Sequence, residues 1–331
     1  MRRMTWSEEG ASAIVAEALA VLTRGGLVAL PTETVYGLAA RADSADACAR
    51  IYEAKGRPST HPLSVHVSGV ASARELVCPS AHAELERWGA RFWPGPLTLA
   101  LPRSARVPDL VTAGGATVAI RAPAHPVMAT LLARTPFGLA APSANRYQSI
   151  SPTSADHVAR SLGDAVDLLV DGGPCSVGLE STIVAPALAG IGPAATSRVL
   201  RLGGLALADL RAFDPRVVVD AGTDEDDAVH AAPGRDRRHY APTCAIAFVD
   251  GAHELPSPAG GLGYLTWGER DRGGYSLWRT LADEPVGYGR DLYAALHEAE
   301  TSGVHTLYVR RLPAEDAWAA ARDRLTRAAA R

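Results

Sequence analysis

The single lysine of this chain, Lys55, lies two residues before Arg57 in the segment KGRPSTHPLSVHV, at the end of a predicted helix. One lysine and 32 arginines make up the 33 basic residues of the 331-residue sequence. Lysine presents a compact ammonium and arginine a planar fork, and the two differ most where phosphate is bound. We therefore expect this pair to bind a phosphate-rich anion. A solvated surface pair is the alternative interpretation.

Small polar side chains follow several of the predicted strands. Each of them alone has an explanation as a turn or a helix cap. Together they favour catalysis by positioning and charge neutralisation, because the sequence shows no nucleophile–base pair, no P-loop motif and no GxGxxG after a strand. The candidates are Thr34, His66, Thr117, Arg121, Ser143, Asn145, Ser151 and Ser181.

The elements that must position these groups alternate between short apolar runs and helical patterns. LVALP, PLSVHV, PLTLALP, TVAIRAP and STIVA are typical of strands, and SADACARIYEAKG and AHAELERWGARFW are typical of helices. So many strands predict an α/β fold with a large twisted mixed sheet and helices packed on it.

The composition of the sequence changes after residue 205. An acidic run, AGTDEDDAV, and a basic segment, PGRDRRHYAPT, are typical of a linker. We therefore predict a first domain over 1–205, a linker over 206–244, and a smaller α/β domain with a parallel sheet over 245–331. A length of 331 residues accommodates two domains.

Composition excludes several classes of protein. A net charge of −3 argues against nucleic-acid binding through an overall basic field. No run approaches 18 apolar residues, and no apolar stretch follows MRRMTWSEEG, so neither a membrane span nor a signal peptide is expected. The cysteines form no CxxC pair, which predicts reduced thiols, a cytoplasmic location and no zinc site: Cys48, Cys78, Cys175 and Cys244.

Seven blocks occur in an order and at a spacing that resemble a known family. They are PTETVYGL, KGRPSTHPLSVHV, FWPGPLT, TVAIRAP, PSAN…SPT, LESTIV and VLRLG. The chain resembles the YrdC-type threonylcarbamoyl-AMP synthases, and PGRDRRHYAP with the C-terminal segment is similar to their two-domain form, whose second domain is Rossmann-like. The resemblance implies synthesis of threonylcarbamoyl-AMP and pyrophosphate from L-threonine, bicarbonate and ATP. The product then serves the N6-threonylcarbamoyladenosine modification of tRNA.

The resemblance also implies roles for individual residues. Lys55 and Arg57 would bind the triphosphate as the catalytic cations, with Mg²⁺ carried by ATP and no metal site on the protein. ATP would contact Lys55, Arg57, His61, Thr117, Ser143, Asn145, Ser151, Arg201 and Tyr240. L-Threonine would contact Thr34, His66, Arg121 and Ser181, with Arg121 pairing the substrate carboxylate.

Further expectations concern the linker, the product and two departures from the family pattern. Tyr240, with His239 or Arg238, would cover the site as a lid. The product would pass to a threonylcarbamoyl transferase complex and tRNA. Gln148 stands where the family usually has glycine, and Leu202 stands where it has proline, which would loosen the nucleotide loop.

Two alternative functions remain open from the residues. The first is a non-catalytic RNA-binding module that uses Lys55, Arg57 and Arg121 on a basic concave face. The second is a different ATP-using transferase, such as a carbamoyl-group enzyme, on a related sheet. The block RRHYAP in the linker favours the two-domain synthase over both.

Overall fold

The computed structural model describes residues 1–188, 196–220, 236–271 and 273–330. The described residues form two sheets, one of eleven strands and one of four. This agrees with the expected α/β class, a large mixed sheet followed by a smaller one.

The large sheet mixes parallel and antiparallel neighbours. Its strand order is β1-β8-β2-β3-β7-β4-β6-β5-β9-β10-β11. For example, β4 is parallel to β6, whereas β5 is antiparallel to β6. The strands are β1 (Arg2–Thr5), β2 (Val28–Leu30), β3 (Gly37–Arg41), β4 (Ser64–His66), β5 (Leu97–Pro102), β6 (Thr117–Arg121), β7 (Leu139–Ala140), β8 (Leu168–Asp171), β9 (Thr182–Ala185), β10 (Ser197–Arg201) and β11 (Val217–Val219).

Helices pack on both faces of this sheet. Successive residues along a strand point to opposite faces, so the buried side chains form two apolar layers. One layer includes Ile51, Leu85 and Val158, and the other includes Leu22 and Leu131. The helices are α1 (Ala11–Thr23), α2 (Ala45–Lys55), α3 (Val70–Ala73), α4 (His82–Phe92), α5 (Asp109–Thr112), α6 (Pro126–Leu132), α7 (Ala155–Leu162) and α8 (Leu207–Phe213).

Local sequence explains why α2 ends where it does. The Ser44 hydroxyl accepts a hydrogen bond from the backbone N–H of Ala47 at 3.2 Å and caps the start of the helix. Gly56 ends it in the left-handed conformation, with φ of 60°. Lys55 is therefore the last helical residue, and the turn after it directs the chain toward β4.

The second sheet is smaller and parallel throughout, in the order β12-β15-β13-β14. Parallel pairing needs crossover connections, and α9 provides the one between β14 and β15. The elements are β12 (Ala245–Val249), β13 (Leu262–Trp267), β14 (Leu277–Leu281), α9 (Pro285–Thr301), β15 (Thr306–Arg310) and α10 (Ala319–Ala329).

The large sheet extends beyond the predicted domain end at residue 205. Leu207 and Leu210 of α8 and Val217 of β11 are buried in the core of this sheet, and β11 pairs with β10. The first unit therefore continues to residue 219, because these apolar side chains complete its core. Of the predicted linker over 206–244, residues 221–235 lie outside the described residues.

The core of the second unit continues into the first. The same buried cluster contains Tyr288 and Leu292 of α9 together with Val35, Ile150 and Leu179 from the large-sheet unit. The two units therefore share an apolar interface. None of the described helices is both long enough and apolar enough to span a membrane.

Candidate active site

A small cavity lies where the ends of β4, β6, β9 and β10 meet the loop between β2 and β3. Its volume is about 60 Å³, far below the roughly 300–1,000 Å³ of ordinary ligand pockets. Eight of the residues expected to bind substrates line it: Thr34, Arg57, His66, Arg121, Ser143, Ser181, Arg201 and Tyr240.

Arg121 ends β6 at the cavity wall and is 3% exposed. Its guanidinium forms an ion pair of 2.7 Å with Glu33 and donates to the Thr34 hydroxyl at 2.8 Å and the Gly95 carbonyl at 3.0 Å. Burial alone raises the pKa of Glu33, but the charge and hydrogen bond of Arg121 outweigh it, and this pKa lies below its usual value. The pair is thus charged and firmly placed.

Lys55 is 2% exposed and does not line the cavity. Its ammonium donates to the carbonyl oxygens of Ser143 and Asn145 at 2.6 and 2.5 Å. Burial, with the nearby charge of Arg57, lowers the pKa of Lys55 well below its usual value. The lysine thereby holds the loop that follows β7. Its assignment to the triphosphate stays a prediction.

Arg57 does reach the cavity, and its Nη2 donates to the Pro62 carbonyl at 3.1 Å. Its Nε has no hydrogen-bond partner among the residues that the structure describes. Burial lowers the pKa of this guanidinium, because low polarity disfavours its charge. A buried cation with an unused donor at a cavity is suited to an incoming anion.

His66 and Ser181 supply neutral polar groups to the wall. Burial, and then the charge of Arg121, lower the pKa of His66 to about 3, so its imidazole is neutral near pH 7. The Ser181 hydroxyl lies 2.7 Å from that of Thr98. Arg201 donates to the Ser181 carbonyl at 2.8 Å and fixes this backbone. These groups offer hydrogen bonds without adding charge.

Three further residues expected to contact ATP do not line the cavity. The Asn145 amide donates to the carbonyls of Arg146 and Ser149 and shapes its own loop. The Ser151 hydroxyl donates to Glu180 at 2.5 Å. Thr117 lies at the opposite end of β6 from Arg121, paired with Pro102, so sharing a strand face did not bring it to the site.

Part of the linker covers the cavity. We call residues 236–244 the lid segment; its His239 and Tyr240 are 5% and 1% exposed and line the cavity. His61, expected at ATP, instead bonds the Asp236 carboxylate at 2.9 Å. Tyr240 thus lies against the cavity, and a lid role for this segment stays a prediction.

The two departures from the family pattern have different consequences. Gln148 has φ of 63°, in the left-handed region that favours glycine, so the usual glycine there has a backbone reason. The Gln148 carbonyl accepts from the N–H of Ala241 in the lid segment at 3.0 Å. Leu202 packs against the main core, and its carbonyl is also hydrogen-bonded, so neither position leaves the loop open.

Two family models match this chain. The model described as telomere recombination (Sua5/YciO/YrdC) matches residues 20–203, and the model described as the threonylcarbamoyl-AMP synthase C-terminal domain matches residues 205–330. The threonylcarbamoyl-AMP synthase of Bacillus subtilis is 41% identical over 241 residues, covering 72% of this chain and 68% of that protein. The chain belongs to the threonylcarbamoyl-AMP synthase family.

Likeness to this family extends over both units. The crystal structure of Pyrococcus abyssi Sua5 complexed with L-threonine superposes with a TM-score of 0.86 at 32% identity, covering 99% of this chain and 97% of that one. The Pyrococcus abyssi threonylcarbamoyl-AMP synthase is 39% identical over 241 residues, covering 70% of this chain and 67% of that protein. The resemblance indicated by the sequence blocks is confirmed.

Sequence reasoning assigned no role to either carboxylate at the site. Glu33 and Glu180 lie in blocks typical of the synthase family, but a carboxylate in a hydroxyl-rich loop resembles a cap. Glu180 pairs with Arg324, which is 144 residues away in the C-terminal unit. A signal for Arg324 does exist, because it shares the helical stripe of the apolar residues Ala321, Leu325 and Ala328.

Proposed function

We propose that this member of the synthase family joins L-threonine, bicarbonate and ATP into threonylcarbamoyl-AMP and releases pyrophosphate. The observation that carries the proposal is one cavity at which Arg57, Arg121 and Arg201, from three separate segments, meet small hydroxyl groups and a neutral histidine. Such a wall is suited to holding several negative charges next to a small polar molecule.

The reaction needs no nucleophile from the protein. The threonine amine combines with bicarbonate, losing water, to form a carbamate. One carbamate oxygen then attacks the α-phosphorus of ATP, and the bond to pyrophosphate breaks. The protein's task is to hold two anions together and to exclude water, which supports assigning the arginines to charge neutralisation.

We assign the threonine side to Thr34, His66, Arg121 and Ser181, all of which line the cavity. Arg121 already has Glu33 as a partner, so the guanidinium is oriented before substrate arrives. Neutral His66 offers a hydrogen bond without attracting a second anion. The substrate carboxylate would then meet a cation that is held rigidly.

We assign the ATP side to Arg57, Ser143 and Arg201. A cavity of about 60 Å³ cannot hold ATP, so the lid segment must move before the nucleotide enters. Movement would also break the contact of the Asp236 carboxylate with His61. Lys55 would act through the Ser143–Asn145 backbone or turn toward the phosphates after opening.

Mg²⁺ would be carried on the phosphates of ATP. The two cavity-side carboxylates, Glu33 and Glu180, are paired with arginines, which makes them poor magnesium ligands. The described residues contain no group of three or more His, Cys, Asp or Glu side chains able to hold a metal ion. We further propose a cytoplasmic site of action, with the product passing to a threonylcarbamoyl transferase and tRNA.

The RNA-binding alternative is not favoured, because Arg57 and Arg121 face a closed cavity and the relatives are named as synthases. The other ATP-using transferase, raised by the sequence, is tested by substrate choice. Protein is incubated with ATP, Mg²⁺ and bicarbonate, with and without L-threonine, and pyrophosphate is measured. Release that depends on both threonine and bicarbonate supports the synthase.

A matched pair of variants on β10 sharpens the test. Arg201→Met removes a cavity arginine, whereas Arg198→Met removes an exposed one paired with Asp220. We expect pyrophosphate release to fall only in Arg201→Met. Retention of RNA by a protein that does not turn over ATP would contradict the proposal.

A further inference from the structure

A buried arginine of the C-terminal unit lies directly behind the cavity and contacts two of the residues that line it, Glu180 and Tyr240. Arg324 of α10 has a fully buried side chain, and its Nε donates to Glu180 Oε2 at 2.8 Å. Its Nη2 donates to the Leu202 carbonyl at 2.6 Å, and its guanidinium carbon lies 4.9 Å from the ring centre of Tyr240. One guanidinium thus contacts a cavity carboxylate, the backbone next to Arg201 and the lid segment.

Glu180 is held on every side. Its carboxylate accepts from the Ser151 hydroxyl at 2.5 Å and from the Tyr293 hydroxyl at 2.9 Å. Burial alone raises the pKa of the Glu180 carboxyl, but Arg324 and then Arg201 outweigh it, and this pKa lies below its usual value. The next residue, Ser181, lines the cavity, so the position of Glu180 sets that of a substrate-facing hydroxyl.

The interface that carries Arg324 is closely fitted. Gly178 has φ of 75°, and a Cβ there would lie 2.1 Å from the carbonyl oxygen of Arg290 in α9. Leu179 belongs to the buried cluster of the C-terminal unit. Because backbone meets backbone at this point, a displacement of the C-terminal unit moves the segment that leads into Glu180 and Ser181.

We propose that Arg324 is a positioning residue for the synthase reaction, through which the C-terminal unit sets the Glu180–Ser181 segment and Tyr240 at the cavity. The inference rests on the proposed function and deepens it. It gives the C-terminal unit a role within the active site, because the large-sheet unit lacks this guanidinium when it stands alone.

The first experiment compares two arginines of the same helix in the full-length chain. Arg324→Met removes the buried guanidinium. Arg322→Met is the matched control, since Arg322 donates to the carbonyls of Pro313 and Glu315 within the C-terminal unit. We expect kcat/KM for threonine to fall by about tenfold to 100-fold in Arg324→Met, as for a misplaced site, and to stay near wild type in the control.

The second experiment separates positioning from folding. Arg324→Met leaves Glu180 buried without its cation, whereas Glu180→Gln/Arg324→Met removes both charges and is expected to regain most of the lost Tm. The Leu202 carbonyl and Tyr240 still lack the guanidinium in the double variant. We therefore expect its kcat/KM for threonine to remain at least about tenfold below wild type.

Recovery of activity together with Tm in the double variant would overturn the inference, because neutralising Glu180 would then be the whole role. Equal activity in Arg324→Met and Arg322→Met would overturn it as well. If Arg324→Met does not fold, the double variant alone decides. Failure of the proposed function has a different signature, namely a wild-type chain without threonine-dependent pyrophosphate release.

Discussion

Two buried arginine–glutamate pairs flank the cavity, and they differ in origin. Glu33 and Arg121 both belong to the large-sheet unit, at 2.7 Å. Glu180 belongs to the same unit, but its partner at 2.8 Å, Arg324, comes from the last helix of the chain. One side of the active site is therefore made within one unit, and the other side requires both.

We call the side with Glu33 and Arg121 the self-contained wall, and the side with Glu180 and Arg324 the dependent wall. The two walls differ in when they form during folding. Arg121 has further partners in its own unit, Thr34 and Gly95, so its geometry is complete once the large sheet folds. Arg324 reaches Glu180 only when the C-terminal unit docks. Breaking a buried pair from one side leaves an uncompensated charge, which typically costs about 3–5 kcal/mol. The two walls should therefore fail differently when they are perturbed.

The largest effect is expected from Arg121→Met in the self-contained wall. Glu33 then remains buried without its cation, and the proposed partner of the threonine carboxylate is lost. A loss of about 3 kcal/mol corresponds to more than about 100-fold, and we expect at least this fall in kcat/KM for threonine. Steady-state pyrophosphate release measured at varied threonine and at varied ATP provides the test.

The control for that variant is Arg103→Met, since Arg103 pairs with exposed Asp109 away from the cavity. We expect the KM for threonine to rise more than the KM for ATP in Arg121→Met, because Arg121 is assigned to the amino acid. Equal changes in both constants would place Arg121 outside the threonine side and would weaken the contrast between the two walls.

A smaller loss is expected from Lys55→Arg, which keeps the charge in the self-contained unit. The ammonium fits between two carbonyls in a fully buried space, and a guanidinium is larger and planar. Overpacking of this kind destabilises the fold by about 1–3 kcal/mol, so we expect a lower Tm. We also expect a lower turnover, because the displaced Ser143 backbone lines the cavity. Thermal unfolding and kcat are measured together, and near-normal turnover would remove the case for a compact ammonium.

Removing the C-terminal unit tests the dependent wall directly. We expect residues 1–220 to unfold cooperatively, because they keep all eleven strands and the buried side chains of Leu207, Leu210 and Val217. Their kcat/KM should nevertheless fall by about tenfold or more, since Arg324 and the lid segment are gone. Circular dichroism and pyrophosphate release are the two measurements.

A shorter chain, residues 1–205, is the matched comparison for that truncation. It ends at the boundary that the sequence predicted and lacks the three buried side chains of α8 and β11. We expect it to melt at a lower temperature than residues 1–220. Wild-type activity in either truncated chain would mean that the C-terminal unit contributes nothing to the cavity.

The sequence predicted the self-contained wall better than the dependent one, for a physical reason. The block TVAIRAP, through the family resemblance, identifies Arg121 of the self-contained wall. Three arginines lie close together in α10, and the apolar stripe of this helix favours Arg324 as the buried one but does not identify Glu180 as its partner. Thr117 lies at the end of β6 opposite to Arg121, so a place on the same strand does not bring two residues to one site.

The unusual lysine illustrates a different limit. Its uniqueness predicts a special role for Lys55, but composition does not reveal whether an ammonium meets a ligand or the chain's own carbonyls. Glu33 was missed because its partner is distant in sequence and its loop resembles a capped turn. In both cases the deciding information is a tertiary contact.

The smallest expected effect lies at the interface itself and depends on pH. His157 of α7 stacks on His297 of α9 with ring centres 3.9 Å apart. Burial, and then the charges of His297 and Arg160, lower the pKa of His157 to about 3, while Asp156 acts in the opposite direction. Glu300 lies 3.7 Å from His297 on the same helix. Folding therefore requires a neutral His157.

The direction of the effect follows from proton binding. An unfolded histidine binds its proton near pH 6.5 and the folded His157 only near pH 3, so the unfolded chain holds more protons between these values. This contribution to stability is complete above about pH 6.5 and is lost as the pH falls. We expect Tm to decline below pH 6.5 less steeply in His157→Gln than in wild type. The difference corresponds to the uptake of at most about one proton on unfolding.

His253→Gln is the control, because His253 is exposed on the C-terminal unit. Calorimetry between pH 5 and 7.5 measures the three proteins. Since the interface also carries Arg324 to Glu180, kcat/KM for threonine should decline over the same range in wild type and less in His157→Gln. A pH dependence of Tm that is identical in all three proteins would show that this histidine pair does not affect docking of the C-terminal unit onto the large-sheet unit. The dependent wall would then rest on the Glu180–Arg324 contact and the apolar interface alone.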